Sequence, residues 1–301
     1  MDLLVVGGSG FLGQEITHQA RLAGNRVVAT FHSHALPIAG LDWRALDIRH
    51  RDDVATLVDQ TRPAVIINAA YRQTDWATTA DGGMHVAAAA AAVGARLVHV
   101  SSDAVFSGTA MRYDETCNPD PTTPYGAAKA AAETAIKGLD PTAIIARTSL
   151  IIGDGGSHHE KLVHALASGA TTGALFTDDV RCPVHVTDLA SALLELARSS
   201  YSGIHHVAGA DAVSRHELGV LIAHRDGLDE TALPTSQRAN TDLPGPIDVR
   251  LDCAVTQSRL TTRLRGARTF LTPHSVGAPA PGGAETHRYR PGPKTGGAQT
   301  R

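Results

Sequence analysis

A glycine-rich turn near the N-terminus constrains the fold more than any other stretch of the sequence. Leu3–Val6 is a short apolar run typical of a buried strand, and Gly7, Gly10 and Gly13 follow it. Apolar residues then recur at helical spacing over 12–23. In such a strand–turn–helix unit, the first glycine allows the tight turn. The second lets backbone approach a pyrophosphate, and the third lets helix and strand pack closely. The unit predicts a dinucleotide site; a purely structural turn is the alternative.

Strand and helix patterns continue to alternate as far as about residue 150. Strands are predicted in 26–31, 42–48, 64–67, 96–100 and 142–147, and helices in 52–58, 84–93 and 125–137. Strands that alternate with helices at this interval form parallel sheets covered on both faces. We therefore predict an α/β fold, a Rossmann-type doubly wound parallel sheet.

The alternation loosens after residue 150. A helix is predicted over 187–198, a strand over 203–207, and a capping box at Ser214–Glu217 opens another helix. We predict a dinucleotide-binding domain over 1–150 and a smaller C-terminal substrate lobe over 151–271, with elements that interleave with the first domain. Residues 272–301 are rich in Gly, Pro, Ala and Thr without an apolar period, which predicts a disordered tail.

Composition excludes several classes of function. The formal net charge of -3 offers no electrostatic attraction for nucleic acid or an anionic membrane, and no apolar run approaches the length of a membrane span. The three cysteines are widely separated and lack metal-ligand spacing, so we expect no metal site and a reducing, cytoplasmic location.

Tyr125 and Lys129 are the residues most indicative of chemistry. Residues four apart lie on one face of a helix, so both side chains would point into the same space. A neighbouring ammonium favours the phenolate and is expected to lower the tyrosine pKa, which suits proton transfer near neutral pH. Ser102 directly follows a predicted strand, where ligands of such sheets bind, and its hydroxyl can bond a carbonyl oxygen. A serine pair that caps a loop is the alternative for Ser101-Ser102.

The residues at the end of the second strand indicate which dinucleotide, NAD or NADP, the chain would bind. An acidic residue there would bind the ribose 2′-hydroxyl of NAD, but the segment reads Thr30-Phe31-His32-Ser33-His34. We therefore expect NADP in preference to NAD, with Ser33 or a histidine on the 2′-phosphate. Asp47 and Ile48 end the third strand, where they would reach the adenine; a helix cap is the alternative for Asp47.

The glycine turn, Ser102 and the Tyr125–Lys129 spacing together resemble the extended short-chain dehydrogenase/reductase superfamily. The resemblance narrows to the dTDP-4-dehydrorhamnose reductase-like branch and spans about residues 1 to 270. The stretches that carry it are Asn68-Ala69-Ala70-Tyr71 with Asp75, Val100–Gly108 around Ser102-Asp103, Tyr125-x-x-x-Lys129, Arg147-Thr148-Ser149 and Gly203–Gly209.

The resemblance implies a role for each matching residue. Tyr125 would protonate the substrate oxygen, Lys129 would hold the nicotinamide ribose, and Ser102 would bond the carbonyl oxygen. Ser9, Phe11 and Leu12 would contribute backbone groups or packing contacts to the phosphate site. Ala69 and Ala70 would line the cofactor. The substrate would contact Tyr71 and Asp103.

This sequence also departs from the branch. His85 stands where an Asn usually supports the site backbone; a surface or helix-cap histidine is the alternative. Leu150 stands where the branch often has an aromatic residue. Thr78-Thr79 replace acidic residues, which weakens the case for bound magnesium. Arg181 would lie by the substrate lobe and bind a diphosphate, or else form a structural salt bridge.

The implied function is an NADPH-dependent reductase of a keto group, the 4-keto group of a deoxysugar nucleotide. A sugar-nucleotide epimerase or dehydratase is a second reading, because Asp103 follows the catalytic hydroxyl. A non-catalytic NADP-binding regulatory subunit, similar to the methionine adenosyltransferase β subunit, is a third. The expected partner is a nucleotide-linked sugar, and a homodimer is compatible with this class.

Overall fold

Strands and helices alternate along the chain in the computed structural model, which describes residues 1–273. The strands are β1 Asp2–Val6, β2 Arg26–Phe31, β3 Asp42–Ala45, β4 Val65–Asn68, β5 Arg96–Ser102, β6 Met111–Tyr113, β7 Ile144–Thr148, β8 Ile151–Ile152, β9 Leu175–Phe176, β10 Val180–Arg181, β11 Val184–His185, β12 Gly203–His206, β13 Val213–Ser214, β14 Thr235–Ser236 and β15 Val249–Leu251. The helices are α1 Phe11–Leu22, α2 Arg51–Thr61, α3 Gly82–Val93, α4 Pro124–Leu139, α5 His158–Ala167, α6 Val186–Arg198, α7 Arg215–Asp226, α8 Ala254–Arg259 and α9 Ala267–Phe270. The tail predicted for 272–301 lies outside the described residues from position 274 onward.

Seven strands form one parallel sheet in the order β12-β7-β5-β4-β1-β2-β3. The chain runs from β1 outward through β2 and β3, then returns to the other side of β1 with β4. The strand order therefore reverses between β1 and β4, and ligands of such sheets bind outside the carboxyl ends at this point. The predicted fold class is confirmed.

Two apolar layers cover the sheet, and the strand sequences follow from that double burial. Leu3 and Val5 of β1 pack with α1 and α6 on one face, whereas Leu4 and Val6 pack with α2, α3 and α4 on the other. A strand that is buried on both faces has no polar side to present, which explains the unbroken apolar run in β1.

The second half of the chain divides its elements between the sheet and a lobe. β12 pairs with β7 at the sheet edge, and α6 packs against α1. α5 and α7 form a separate apolar cluster with Leu175 and Leu233. Ser157 caps α5 in a reciprocal capping box with Glu160, and the Ser214 hydroxyl accepts a hydrogen bond from the Glu217 N–H at the start of α7. The lobe lies next to the carboxyl end of the sheet, where its residues line the main cavity described below.

The start of α4 lies unusually close to the segment that follows β5. Thr123 caps the helix by accepting a hydrogen bond from the Gly126 N–H at 3.0 Å, and Pro124 occupies the first helical turn. A Cβ on Gly126 would lie only 2.0 Å from the carbonyl oxygen of Ala104. A glycine is therefore required for this contact, which brings Tyr125 near Ser102.

The two glycines of α4 provide a matched test of this packing. Gly126→Ala should lower the free energy of unfolding by about 1–3 kcal/mol, because the backbone of the helix or the loop must move. Gly138→Ala, where no atom lies within 4 Å of the added Cβ, should raise it by about 0.5–1 kcal/mol through reduced chain entropy. Urea denaturation followed by circular dichroism measures both; equal effects of the two substitutions would contradict the close contact.

Candidate active site

The glycine turn forms a cradle at the carboxyl end of β1. Gly7 has a φ of 81°, and a Cβ on it would lie 2.8 Å from the Ala70 nitrogen. A Cβ on Gly13 would lie 2.1 Å from the Gly7 carbonyl oxygen. α1 starts after Gly10 without a side-chain cap and without an acidic residue in its first turn. Its N-terminal N–H groups are thus left for an anion, as the pyrophosphate of a dinucleotide requires.

One cavity of about 790 Å³ joins this cradle to the predicted catalytic residues. Its lining includes Gly10, Phe11, Leu12, Gly13, Ala69, Tyr71, Ser102, Asp103, Tyr125, Lys129 and Arg181. These residues are distant in sequence, but β1, β4 and β5 end at the same edge of the sheet and α4 begins there. The structure therefore brings together most of the residues singled out from the sequence.

Tyr125 and Lys129 line this cavity, but their electrostatics differ from the expectation. Burial raises the pKa of Tyr125 well above its ordinary value; Tyr71 adds to that rise and the Ser102 hydroxyl opposes it. The Lys129 Nζ donates to the Val100 carbonyl oxygen at 2.8 Å, and burial lowers its pKa to about 8. The expectation that Lys129 lowers the pKa of Tyr125 is wrong for this structure, because the loss of water around the phenol is the larger effect.

Ser102 lies at the end of β5 and also caps the next turn. Its hydroxyl accepts a hydrogen bond from the Ala104 N–H at 3.2 Å and donates one to Asp103 Oδ1 at 3.2 Å. The loop-capping alternative is therefore also present. One serine serves both purposes because Asp103–Val105 is a single 3-10 turn that begins where the strand ends.

The two residues expected on the substrate side differ in exposure. Tyr71 is 56% exposed; its ring centre lies 5.9 Å from that of Tyr125 and 5.3 Å from the Lys129 Nζ. Asp103 is buried and accepts a hydrogen bond from the Ser149 hydroxyl at 2.6 Å. Tyr71 can therefore contact a ligand directly, whereas Asp103 holds Ser102 and Ser149 in position.

Arg181 is buried in a cluster of charges rather than projecting freely into the cavity. It pairs with Asp179 at 2.8 Å and lies 3.8 Å from Asp103. Its guanidinium also donates to three backbone carbonyls, those of Val180, Pro246 and Ile247. The structural salt bridge that was the alternative for Arg181 is present.

Sequence reasoning missed two further arginines on the same wall. Arg215 and Arg238 share the Asp179 carboxylate with Arg181, at 3.4 and 3.2 Å, and all three line the cavity. Among the side chains that line this wall, three guanidinium groups outnumber the two carboxylates of Asp179 and Asp103. Arg215 lies inside the capping-box pattern and Arg238 in a polar stretch without periodicity, so nothing in the sequence marks either.

His159 was also missed. It lines the cavity next to these arginines, and burial lowers its pKa to about 3, with Arg215 adding to the fall. The imidazole is therefore neutral at ordinary pH and adds no charge to the wall.

The residues expected at the adenosine end lie outside the main cavity. Ser33 is exposed, and its hydroxyl lies 3.1 Å from His32 Nδ1. Hydrogen bonds from Arg49 hold the pKa of Asp47 well below its usual range, and His32 lies 3.5 Å from the same carboxylate. Asp47 and His32 line a second cavity of about 480 Å³. Ile48 is buried, and its carbonyl oxygen lies 2.9 Å from His85 Nδ1.

Two absences can be stated for residues 1–273. Within that range no group of three or more His, Cys, Asp or Glu side chains could hold a metal ion. No helix in the same part of the chain is long and apolar enough to cross a membrane.

Comparison with known proteins shows the family to which the chain belongs. The RmlD substrate binding domain family matches residues 1–273. The chain is 31% identical to a dTDP-4-dehydrorhamnose reductase of Mycobacterium tuberculosis, over 81% of this chain and 82% of the relative. It is 28% identical to methionine adenosyltransferase 2 subunit beta of Xenopus laevis, over 83% and 80% of the two chains.

A solved structure shares the fold. A dTDP-4-dehydrorhamnose reductase from Bacillus anthracis, in complex with NADP, superimposes with a TM-score of 0.78 at 23% identity, covering 89% of this chain and 96% of that one. The resemblance predicted from the sequence is confirmed: this chain belongs to the RmlD substrate binding domain family, the dTDP-4-dehydrorhamnose reductase-like branch of the extended short-chain dehydrogenases/reductases.

Proposed function

We propose that this chain is an NADPH-dependent reductase whose substrate is the 4-keto group of a deoxysugar nucleotide. One observation carries the proposal. A single cavity is lined by the glycine turn that follows β1, by a serine–tyrosine–lysine set and by an arginine-rich wall. The turn suits a dinucleotide, the central residues suit carbonyl chemistry, and the arginines suit the phosphates of a second nucleotide.

The glycine cradle supports binding of a nicotinamide dinucleotide. The close approach of Gly7 to Ala70 and of Gly13 to Gly7 leaves no room for a side chain at either glycine. The N–H groups at the start of α1 would hold the pyrophosphate, Ala69 and Ala70 would line the cofactor, and Lys129 would hold the ribose hydroxyls. When bound, the reduced nicotinamide supplies the hydride for the ketone carbon.

Tyr125 acts as the proton donor in this proposal. Because burial raises its pKa, the phenol is protonated at neutral pH and can give its proton to the substrate oxygen. Ser102 would hold that oxygen with its hydroxyl. Lys129, with a pKa of about 8, is mostly an ammonium at pH 7 and can donate to ribose hydroxyls.

Preference for NADPH rests on the end of β2. No carboxylate lies on the His32-Ser33 segment, and the nearby Asp47 carboxylate is held by Arg49 at 2.6 Å. Ser33 is exposed and His32 half exposed, so both can bond a 2′-phosphate. Asp47 and Ile48 would lie toward the adenine in this arrangement.

The sugar-nucleotide substrate rests on the arginine wall. Arg215 keeps a quarter of its side chain exposed, and Arg238 an eighth, so both can turn a guanidinium edge to a phosphate. The M. tuberculosis relative is named for a dTDP-linked keto sugar. We infer that this chain takes a substrate of the same class, with Tyr71 against the sugar.

Two other functions were open from the sequence. An epimerase or dehydratase would use Asp103 as an acid, but here Asp103 accepts hydrogen bonds from Ser102 and Ser149. A regulatory subunit is favoured by the similarity to methionine adenosyltransferase 2 subunit beta, and the complete Ser102–Tyr125–Lys129 set favours the enzyme. The homodimer and the cytoplasmic location expected from the sequence stay predictions.

Loss of the proton donor tests the reaction. Tyr125→Phe should reduce turnover by about 10²–10⁴-fold, because the phenol proton is lost while the ring is kept. NADPH oxidation is followed by absorbance with a panel of 4-keto sugar nucleotides, starting with the dTDP-linked one, and NADPH affinity by fluorescence. We expect that affinity to change little. A wild-type protein that binds NADPH tightly but reduces no member of the panel would support the regulatory subunit instead.

The cofactor preference is tested at the end of β2. Ser33→Ala and His32→Ala should each weaken NADPH binding by roughly 3- to 10-fold, because a hydrogen bond to a charged phosphate is lost, and should leave NADH binding unchanged. His18→Ala, which removes an exposed histidine of α1 outside this segment, is the matched control. Fluorescence titration with both nicotinamides measures the affinities. Tighter binding of NADH than NADPH by the wild type would refute the preference.

A further inference from the structure

A buried ion pair ties α4 to the sheet directly behind the proposed site. Arg147 of β7 donates from Nη2 to Glu133 Oε2 at 2.8 Å and from Nε to Glu133 Oε1 at 3.0 Å. Both side chains are 1% exposed. The Ser101 hydroxyl donates to the same carboxylate at 2.6 Å. Burial of a charged pair is costly, so two side-chain donors and a bidentate geometry at this place call for an explanation.

The Glu133 carboxylate lies next to the proposed site on both α4 and β5. Glu133 lies four residues after Lys129, which lies four after Tyr125, so the three share one face of α4. Ser101 directly precedes Ser102 on β5. The Glu133 carboxylate is therefore in contact with the strand that carries the proposed hydroxyl and on the helix that carries the proposed phenol and ammonium.

Arg147 is held from other directions too. Its Nη1 donates to the Cys117 carbonyl oxygen at 3.1 Å, and its guanidinium lies 4.9 Å from the centre of the Phe106 ring. Burial lowers the pKa of the neighbouring His206 to about 4, and Arg147 adds to that fall. His206 is therefore neutral, and the charge of Arg147 is balanced by Glu133.

The protonation state of Lys129 depends on the charged and titratable groups that surround it. His99 on β5 is neutral, because burial, and Lys129 itself, hold its pKa well below the ordinary value. Tyr71 presents a ring face, and Tyr125 a protonated phenol. The 3-10 turn packed on α4 carries Asp103, whose carboxylate accepts hydrogen bonds from two serine hydroxyls. The segments packed on α4 carry Asp81 and His85, and the His85 Nδ1 lies 2.9 Å from the Ile48 carbonyl oxygen. Burial lowers the pKa of Lys129, and Glu133 opposes that fall.

We propose that Glu133 and Arg147 are positioning residues that act on Lys129 as opposed charges: the Glu133 carboxylate keeps the lysine in its ammonium form, and Arg147 limits that effect while it holds the carboxylate in place. The part that concerns cofactor binding rests on the proposed function, since the ammonium is the form that holds the ribose. The electrostatic part does not.

Two substitutions move the charge of the pair in opposite directions. Glu133→Gln keeps an oxygen for Ser101 and Arg147 but removes the negative charge, so the pKa of Lys129 should fall by about one unit. Arg147→Met removes the positive charge that neutralises the carboxylate, so the pKa of Lys129 should rise, by less than the fall in Glu133→Gln, because Glu133 is the charge that acts on the lysine directly. A role in packing alone would give two destabilised proteins with the lysine unmoved.

The measurement uses protein whose lysines are isotopically labelled at Cε and a pH titration by NMR. The chain has four lysines, at 129, 137, 161 and 294, and Lys129→Ala identifies the resonance of interest. Lys137 is the internal control, because it lies four residues on the other side of Glu133 but is exposed. Solvent should screen it, so its midpoint should move much less than that of Lys129. Equal shifts at both lysines, or none at Lys129, would overturn the proposal.

Removing one partner of a buried pair can prevent folding. The double variant Glu133→Gln/Arg147→Met leaves no unpaired charge, and we expect its Lys129 midpoint to return toward that of the wild type. Failure to return would contradict the opposed-charge account.

The titration needs no cofactor, so it separates this proposal from the proposed function. If the wild type fails to bind NADPH, the function is refuted and the titration still decides the role of the pair. If it binds, the loss of NADPH affinity as pH rises should begin at lower pH in Glu133→Gln than in the wild type. An unchanged pH profile in that variant, alongside a shifted lysine, would refute the part that concerns cofactor binding.

Discussion

The contact between α4 and the segment that follows β5 determines whether the proposed site exists. Gly126 lies against the Ala104 carbonyl with no room for a side chain, and Lys129 donates to the Val100 carbonyl one turn later. The Glu133–Arg147 pair holds the next turn of the same helix. Each successive turn of α4 is thus fixed to the sheet by a different interaction. As a result, the phenol and the ammonium cannot shift along the helix axis relative to Ser102 without breaking one of them.

Charge is distributed unevenly along the cavity, and this asymmetry suits two anionic ligands. At one end, phosphate binding would depend on backbone N–H groups at the start of α1, where no acidic side chain competes. At the other end, Arg181, Arg215 and Arg238 surround Asp179. Between them lies Tyr125, which burial keeps protonated. Lys129 lies beside it and is mostly an ammonium at pH 7, so the proposed centre adds one positive charge between two ends that also suit negative charge.

The sequence predicted the elements that obey a local rule. The glycine spacing after β1 reflects steric contacts that admit no Cβ, so Gly7 and Gly13 stand where the close approach occurs. The four-residue spacing of Tyr125 and Lys129 reflects helix geometry, and both line the cavity. The same spacing led to a wrong pKa direction for Tyr125. The spacing of two residues in a helix predicts that they share a face. The loss of water around the Tyr125 phenol depends instead on β5, Tyr71 and the lobe.

By itself, therefore, the sequence determined the doubly wound sheet and the glycine turn after β1. It also indicated the serine, tyrosine and lysine at the carboxyl edge of the sheet. Each of these depends on residues close together in the chain or on the order of the strands. Tertiary structure alone decided which arginines meet. Arg181, Arg215 and Arg238 come from different parts of the lobe and share one carboxylate only after the chain has folded. The same holds for the Glu133–Arg147 pair, since burial and charge compensation depend on the sum of all packed neighbours, which no local pattern records.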